Sequence, residues 1–202
     1  MVDSMTEIRP MVMWDIGMNI GLASLYFATK DDVVVVGHEP LQKTYQLALE
    51  NSMLNPELSK KIAVFNYGIG GSDRIEIVEY CHEYKGSVGI RGLVGDANLR
   101  RTILGIDEKS TEFSKDDLMM RKASDVLESI RSAYPGLPVV AKIDCEGAEY
   151  EIIDSLYHGG KLTDIEAIMM EWRFFLMDAG LGSRSAGRRR SAARDDPAIA
   201  RA

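Results

Sequence analysis

The chain has 202 residues, an apolar fraction of 46% and a formal net charge of -7, which together predict one globular domain with a sizeable core. An acidic body argues against nucleic acid as the main partner, because phosphate binding needs a positive surface. No apolar run is as long as a membrane span, and the N-terminus lacks a signal-peptide pattern. The two cysteines make no disulfide framework, which is typical of a reducing compartment. We therefore expect a cytoplasmic protein.

Short runs rich in β-branched residues predict six β-strands. The second of them is a near-continuous apolar run, which is typical of a strand buried in a parallel sheet. The fourth alternates in the manner of a strand with one solvated face. In chain order, the predicted strands cover residues 11–15, 32–39, 62–70, 74–80, 138–144 and 165–172.

Apolar residues at helical spacing predict four helices, over residues 19–30, 40–54, 114–134 and 146–160. Ser114 is a suitable N-cap for the third helix, since acids follow it in the first turn. Most of the helices fall between strands. This alternation predicts an α/β fold with a doubly wound, mostly parallel sheet.

Two segments depart from this pattern. Residues 81–113 read as a Gly-rich loop, which fits either a lid over a substrate or a connector without a role. Residues 183–202 hold six Arg and two Asp among Ser, Ala and Gly, and we expect a disordered tail there. The predicted domain therefore spans residues 1–182.

The first strand runs into a turn with the sequence DIGMNIG at residues 15–21. In an open parallel sheet, ligands bind beyond the carboxyl ends of the strands, where this turn is expected to lie. Gly17 and Gly21 allow a close backbone approach that side chains would prevent, and the next helix offers free N–H groups. The turn therefore predicts a ligand site, with a tight turn that binds nothing as the alternative.

Two classes of ligand compete for this turn. A dinucleotide site requires G-x-G-x-x-G, whereas Gly17, Asn19 and Gly21 form G-x-N-x-G. Asp15 would repel a pyrophosphate but attract the ammonium and sulfonium groups of S-adenosylmethionine. The turn therefore favours S-adenosylmethionine, and an NAD(P)-dependent oxidoreductase is the less favoured alternative.

Two further segments suit a nucleoside. Glu39 ends the second strand, where a carboxylate can accept hydrogen bonds from both ribose hydroxyls of either cofactor. Glycines at the end of the third strand would let an adenine lie against the backbone, or they form a plain hairpin into the fourth strand.

Five stretches taken together resemble the FkbM-type S-adenosylmethionine-dependent methyltransferases. They occur in the family's order and cover residues 11–175. The resemblance implies a class I methyltransferase fold and methyl transfer to hydroxyl oxygens of sugars or natural products. The stretches are DIGMNIG (15–21), HEPLQKTYQLALENSMLN (38–55), YGIGGSDRIEI (67–77), KIDCEGAEYEIIDSL (142–156) and IEAIMMEW (165–172).

The resemblance also assigns site residues, position by position. The cofactor turn, the ribose acid, the adenine-side segment and two acids of the later block all have counterparts here. The matching residues are Asp15, Gly17, Asn19, Gly21, Glu39, Gly68, Ile69, Gly70, Asp144 and Glu146.

Asp144 is the residue that we expect to orient the acceptor or act as its base, with Glu146 in support. An alcohol is a poor nucleophile and gains from a general base. Alternatively, Glu146 only favours the start of a helix, and Lys142 pairs with a neighbouring acid. Glu171 is a further candidate acid of the pocket. Asp144 and Glu146 could together hold a metal ion, but the sequence shows no third ligand beside them, so we predict no metal.

The chain departs from the family at two places. His38 stands where the family more often has Phe, and it is either a tolerated neighbour or a base. We find no terminal antiparallel strand pair, which predicts an incomplete sheet edge. The expected partner is a small-molecule or saccharide substrate, without nucleic acid or membrane. The alternative function is a protein that binds S-adenosylmethionine without turnover.

Overall fold

The computed structural model describes residues 9–81, 113–145 and 147–171, and these contain eight β-strands and five α-helices. A short 3-10 turn, Leu162–Asp164, precedes the last strand. In chain order the elements are β1 (Met11–Ile16), α1 (Leu22–Ala28), β2 (Val33–His38), α2 (Gln42–Met53), α3 (Pro56–Ser59), β3 (Ile62–Phe65), β4 (Gly68–Gly70), β5 (Arg74–Cys81), β6 (Phe113–Lys122), α4 (Ala123–Ala133), β7 (Val139–Ile143), α5 (Glu149–His158) and β8 (Ile165–Met170).

The main sheet has five parallel strands in the order β3-β2-β1-β7-β8. This confirms the predicted α/β fold with a doubly wound parallel sheet. The chain builds outward from β1 to β3 and then returns to place β7 on the other side of β1. The strand order therefore reverses between β1 and β7, and a crevice is expected at their carboxyl ends.

Both faces of this sheet are covered by helices. Along β1, Val12, Trp14 and Ile16 belong to a core that also contains side chains of α4 and α5. Met13, which points to the opposite face, packs with Ala28 of α1. Apolar side chains are thus needed at consecutive positions of a central strand, which explains the continuous apolar runs in the sequence.

The prediction of one helix over residues 114–134 is wrong in its first part. β6 takes that part and pairs antiparallel with β5, so Ser114 lies in a strand and is no N-cap. Leu118 and Met120 are buried while Met119 between them is exposed, which is the period of a strand. Pairing with β5 satisfies the backbone groups of this segment, and this tertiary contact overrides its local pattern.

The predicted strand over residues 62–70 proves to be two strands in two different sheets. β3 is an edge of the main sheet, whereas β4 belongs to a second sheet with the order β4-β6-β5. Between them, the Asn66 side chain donates hydrogen bonds to the carbonyl oxygens of Glu39 and Pro40, at 3.0 and 3.1 Å. These bonds hold the chain where it leaves the main sheet.

Some predictions lie outside the described residues. They are the loop predicted over residues 81–113 (except for its end residues Cys81 and Phe113, which belong to β5 and β6), the role of Glu146, the missing C-terminal strand pair, the domain boundary at residue 182 and the tail over residues 183–202. None of the helices within the described part of the chain is long and apolar enough to cross a membrane.

Candidate functional site

The turn after β1 and the turn after β7 touch each other at the crevice. The Asp144 backbone N–H donates to the carbonyl oxygen of Ile16 at 3.0 Å. Gly17 has a φ of 76°, and a Cβ at this position would lie 2.0 Å from the carbonyl oxygen of Asp144. Only glycine fits both the conformation and the approach, so the sequence motif has a clear steric cause here.

Asn19 and Gly21 complete the turn in the left-handed region, with φ values of 53° and 83°. Gly21 is the N-cap of α1, and its carbonyl oxygen accepts the N–H of Leu25 at 2.9 Å. The Asn19 N–H donates to Glu39 Oε2 at 3.1 Å. The turn is therefore tied to the end of β2 as well as to the end of β7.

Asp15 is fully buried beneath this turn, with 0% of its surface exposed. Its Oδ2 accepts a hydrogen bond from Ser24 of α1 at 2.6 Å, and its Oδ1 lies 3.0 Å from Lys142 Nζ. The carboxylate presents no exposed atom to the crevice. Its negative charge is matched by Lys142, so Asp15 supports the turn from below.

Lys142 of β7 extends from Asp15 toward the crevice. Besides Asp15, its Nζ donates to the carbonyl oxygen of Gly17 at 3.3 Å and lies 3.7 Å from Asp144 Oδ2. This geometry bears out the pairing of Lys142 with a neighbouring acid. Asp144 keeps 38% of its side chain exposed, and it is an acid of the crevice that a ligand can reach.

Glu39 is buried where β2 ends and receives two backbone hydrogen bonds. Its Oε1 accepts the N–H of Leu41 at 3.0 Å and its Oε2 that of Asn19 at 3.1 Å. Burial raises the pKa of Glu39 from 4.5 to about 7, although the two backbone bonds oppose this rise. Each carboxylate oxygen retains a second acceptor direction, which leaves capacity for ribose hydroxyls.

His38 is also buried, within an aromatic cluster at the end of β2. Its ring lies 4.8 Å from that of Tyr67 and 5.4 Å from that of Phe65, centre to centre, and Trp14 packs edge-on at 6.4 Å. Among the described residues, neither ring nitrogen of His38 has a hydrogen-bond partner. Burial lowers the pKa of His38 to about 3, so the ring is neutral near pH 7.

Replacing His38 with phenylalanine is expected to raise the free energy of unfolding by about 1 kcal/mol at pH 8, because two unpaired buried nitrogens are removed. Denaturant unfolding measures this change. The gain should grow below pH 6.5, where the unfolded histidine takes up a proton that the folded one refuses. Asn at the same position serves as a polar control, and a loss of stability in the Phe variant would contradict the prediction.

The predicted adenine-side segment forms β4, and its residues are packed against protein atoms. A Cβ at Gly68 would lie 2.6 Å from the sulfur of Met120, and one at Gly70 would lie 3.0 Å from the Arg74 guanidinium. Ile69 is buried in the core beneath the main sheet. A side chain at Gly68 would displace the buried Met120 side chain, and the role of the segment toward adenine stays a prediction.

Glu149 is a buried residue of this region that the sequence reasoning missed. It begins α5, and its carboxylate accepts the N–H of Gly147 at 2.8 Å and that of Cys145 at 3.3 Å. It thereby fixes the backbone that follows Asp144. The EGAE stretch could have indicated this role, since an acid in the first turn of a helix interacts favourably with the free N–H groups there.

Glu171 follows β8, and its N–H donates to the Ile143 carbonyl at 3.2 Å.

A groove of 810 Å³ lies at the other end of the sheet, where β7 begins. Its basic side chains are paired: Arg9 with Glu166, Arg131 with Asp164, and Lys161 with Glu128 at 3.4 Å. Among the lining residues that the structure describes, this pairing leaves no surplus charge for an ionic ligand. Within the described ranges, no three His, Cys, Asp or Glu side chains converge to hold a metal ion.

Comparisons with known proteins identify a family. A family model described as the methyltransferase FkbM domain matches residues 15–185. Among solved structures, the chain is similar to the methyltransferase FkbM from Methylobacillus flagellatus KT, at 16% identity and a TM-score of 0.45. That match covers 79% of this chain and 32% of the other, so this chain spans about a third of the length of that protein. No curated protein matches the chain.

Proposed function

Since the chain belongs to the FkbM methyltransferase domain family, we propose that it transfers a methyl group from S-adenosylmethionine to a hydroxyl oxygen of a small molecule or saccharide. The choice of hydroxyl acceptors follows the described members of the family. The choice of cofactor rests on the crevice between β1 and β7.

One observation carries the proposal of a nucleoside cofactor in this crevice. The turn after β1 meets the carboxylate at the end of β2, through the bond of 3.1 Å between the Asn19 N–H and Glu39 Oε2. A nucleoside in the crevice places its ribose at the end of β2 and its remaining part over the turn after β1. The two elements that such a ligand needs are therefore already joined.

The donor set suits S-adenosylmethionine. Glu39 offers carboxylate oxygens for the ribose hydroxyls, and the Asn19 N–H holds one of these oxygens beside the turn. Asp144 adds an exposed negative charge, which is favourable beside an ammonium or a sulfonium. The charge of Lys142 at the crevice is matched by Asp15, so this lysine would offer a pyrophosphate little compensation.

S-adenosylmethionine, when bound, supplies a methyl carbon that the sulfonium makes electrophilic. Asp144 would accept a hydrogen bond from the acceptor hydroxyl and take up its proton. Lys142 and the Ile16 carbonyl hold Asp144 at the crevice through its side chain and its backbone N–H. The protein thus contributes orientation and one proton acceptor.

Calorimetry with S-adenosylmethionine, S-adenosylhomocysteine and NAD⁺ tests the choice of cofactor. We expect heat with the first two and none with NAD⁺. Methyl-labelled S-adenosylmethionine, offered with a panel of sugars, alcohols, amines and thiols, then tests the acceptor class. Binding without transfer to any member would favour a protein that binds the cofactor without turnover, and binding of NAD⁺ alone would contradict the proposal.

Replacing Asp144 with asparagine is expected to lower the rate of methyl transfer at least about 100-fold, the usual contribution of a general base. Cofactor affinity should fall less than the rate, because asparagine removes the charge beside the cofactor but keeps the shape of the side chain. Asp154 on α5, an exposed acid beside His158, supplies the matched control for an Asp-to-Asn change. Full transfer activity in the Asp144 variant would remove the assigned role.

A further inference from the structure

Lys142 occupies an unusual place, because its ammonium group touches three groups from two strands. It lies 3.0 Å from Asp15 Oδ1, 3.3 Å from the carbonyl oxygen of Gly17 and 3.7 Å from Asp144 Oδ2. Its side chain is 20% exposed. A single lysine therefore contacts the buried support of the first turn, the turn itself and the reachable carboxylate of the second turn.

The register of the sheet explains why these groups meet. Asp15 and Lys142 are direct partners in the β1–β7 ladder, so their side chains leave the sheet on the same face. Gly17 and Asp144 follow two residues later, just past the end of each strand. The Lys142 ammonium group thus meets three other residues at the point where the strand order reverses.

The charges in this group decide what the lysine does. Asp15 is fully buried and would be costly without a cation, so Lys142 neutralises it. The remaining negative charge lies on Asp144, which is the exposed member. Because Lys142 neutralises Asp15, Asp144 is the member of this group that presents a negative charge to a ligand. Lys142 also holds the cofactor turn close to Asp144.

We propose that Lys142 is a positioning residue, which sets the distance between the cofactor turn at Gly17 and the carboxylate of Asp144. The identity of the ligand rests on the proposed function, but the distance between the Gly17 turn and Asp144 can be tested without a ligand. Loss of the ammonium group should loosen both turns together, and retention of a cation at this position should preserve part of their order.

Amide hydrogen exchange in three variants tests the geometric part. Lys142→Met keeps the length of the side chain without the charge, and Lys142→Arg keeps the charge. Lys61→Met is the matched control, since Lys61 is also partly buried and donates to backbone carbonyls at 2.9 to 3.2 Å, but near the end of α1.

In Lys142→Met, exchange should accelerate at the amides of Gly17, Met18 and Asp144 beyond the change that global stability explains. These amides are bonded at 3.0 to 3.1 Å in the native structure. Lys142→Arg should recover part of the protection, and Lys61→Met should leave these amides unaffected. If the three amides in Lys142→Met follow global stability alone, the proposal is overturned.

Affinity for S-adenosylhomocysteine provides the second readout. Lys142→Met should weaken it roughly tenfold, the factor that one charge-assisted hydrogen bond typically gives, and Lys142→Arg should restore part of it. An unchanged affinity in folded Lys142→Met would overturn the positioning role. If the wild type binds neither S-adenosylhomocysteine nor S-adenosylmethionine, the proposed function fails, and hydrogen exchange still decides for or against Lys142.

Discussion

Replacing Glu39 with glutamine is expected to remove a pH-dependent loss of about 3 kcal/mol from the free energy of unfolding. The pKa of Glu39 is raised from 4.5 to about 7 in the folded protein. Below pH 4.5 the group is protonated in both states and costs nothing. Between pH 4.5 and 7 the unfolded chain loses this proton and the folded chain keeps it, so stability falls as the pH rises.

The prediction applies to the difference in the free energy of unfolding between the wild type and Glu39→Gln, since His38 changes the stability of both proteins with pH in the opposite direction. The pKa of His38 is lowered from 6.5 to about 3, so its contribution makes stability rise with pH over that interval. The two groups offset each other between pH 4.5 and 6.5 in the wild type. Denaturant unfolding of both proteins from pH 4.5 to pH 8 isolates the contribution of Glu39.

Glu57→Gln, an exposed acid with 83% of its side chain accessible, is the control for the amide substitution itself. A constant difference between the wild type and Glu39→Gln over the whole range would show that Glu39 is not protonated by burial.

The same group links pH to cofactor binding under the proposed function. Ribose hydroxyls donate to an ionised carboxylate, so affinity for S-adenosylmethionine should rise about tenfold from pH 6 to pH 8, with release of a proton. Calorimetry in buffers of different ionisation enthalpy detects that proton. Glu39→Gln should bind more weakly and without this pH dependence, and an affinity of the wild type that is flat over this range would contradict the assigned ribose contact.

Replacing Asp15 with alanine is expected to lower the free energy of unfolding by about 3 to 5 kcal/mol, the usual cost of removing one partner of a buried ion pair. The change leaves Lys142 without its closest anion and Ser24 without its acceptor at 2.6 Å. Thermal or denaturant unfolding measures the effect, and the loss of structure around the turn should abolish cofactor binding as well.

We attribute the large loss of stability in Asp15→Ala to the burial of the ion pair, and two further variants test this cause. Glu57→Ala removes an ion pair of similar length, 2.8 Å to Lys60, but on the surface, where such pairs contribute little. The double variant Asp15→Asn with Lys142→Met removes both charges and should recover much of the stability lost in Asp15→Ala. If Asp15→Ala and Glu57→Ala cost the same, the buried pair does not carry the stability assigned to it.

The candidate site could be predicted in part because its signals are local. Gly17 must be glycine, since the next turn passes too close for a side chain, and the glycine is visible in the sequence. Glu39 is found as an acid directly after an apolar strand. The electrostatic role expected for Asp15 was incomplete, because its partner Lys142 lies 127 residues away in sequence. His38 gave no signal of its burial, since its aromatic neighbours come from three separate strands and loops.

The sequence by itself determined the parallel α/β sheet, its central strands and the glycine turn beside Glu39. Apolar periodicity and glycine positions act within a few residues, so they can be read without knowing which strands meet. Only the tertiary structure decided that residues 113–122 pair as a strand and that Lys142 faces Asp15. Those outcomes depend on contacts between distant segments, and the free energy of such contacts overrides local preference.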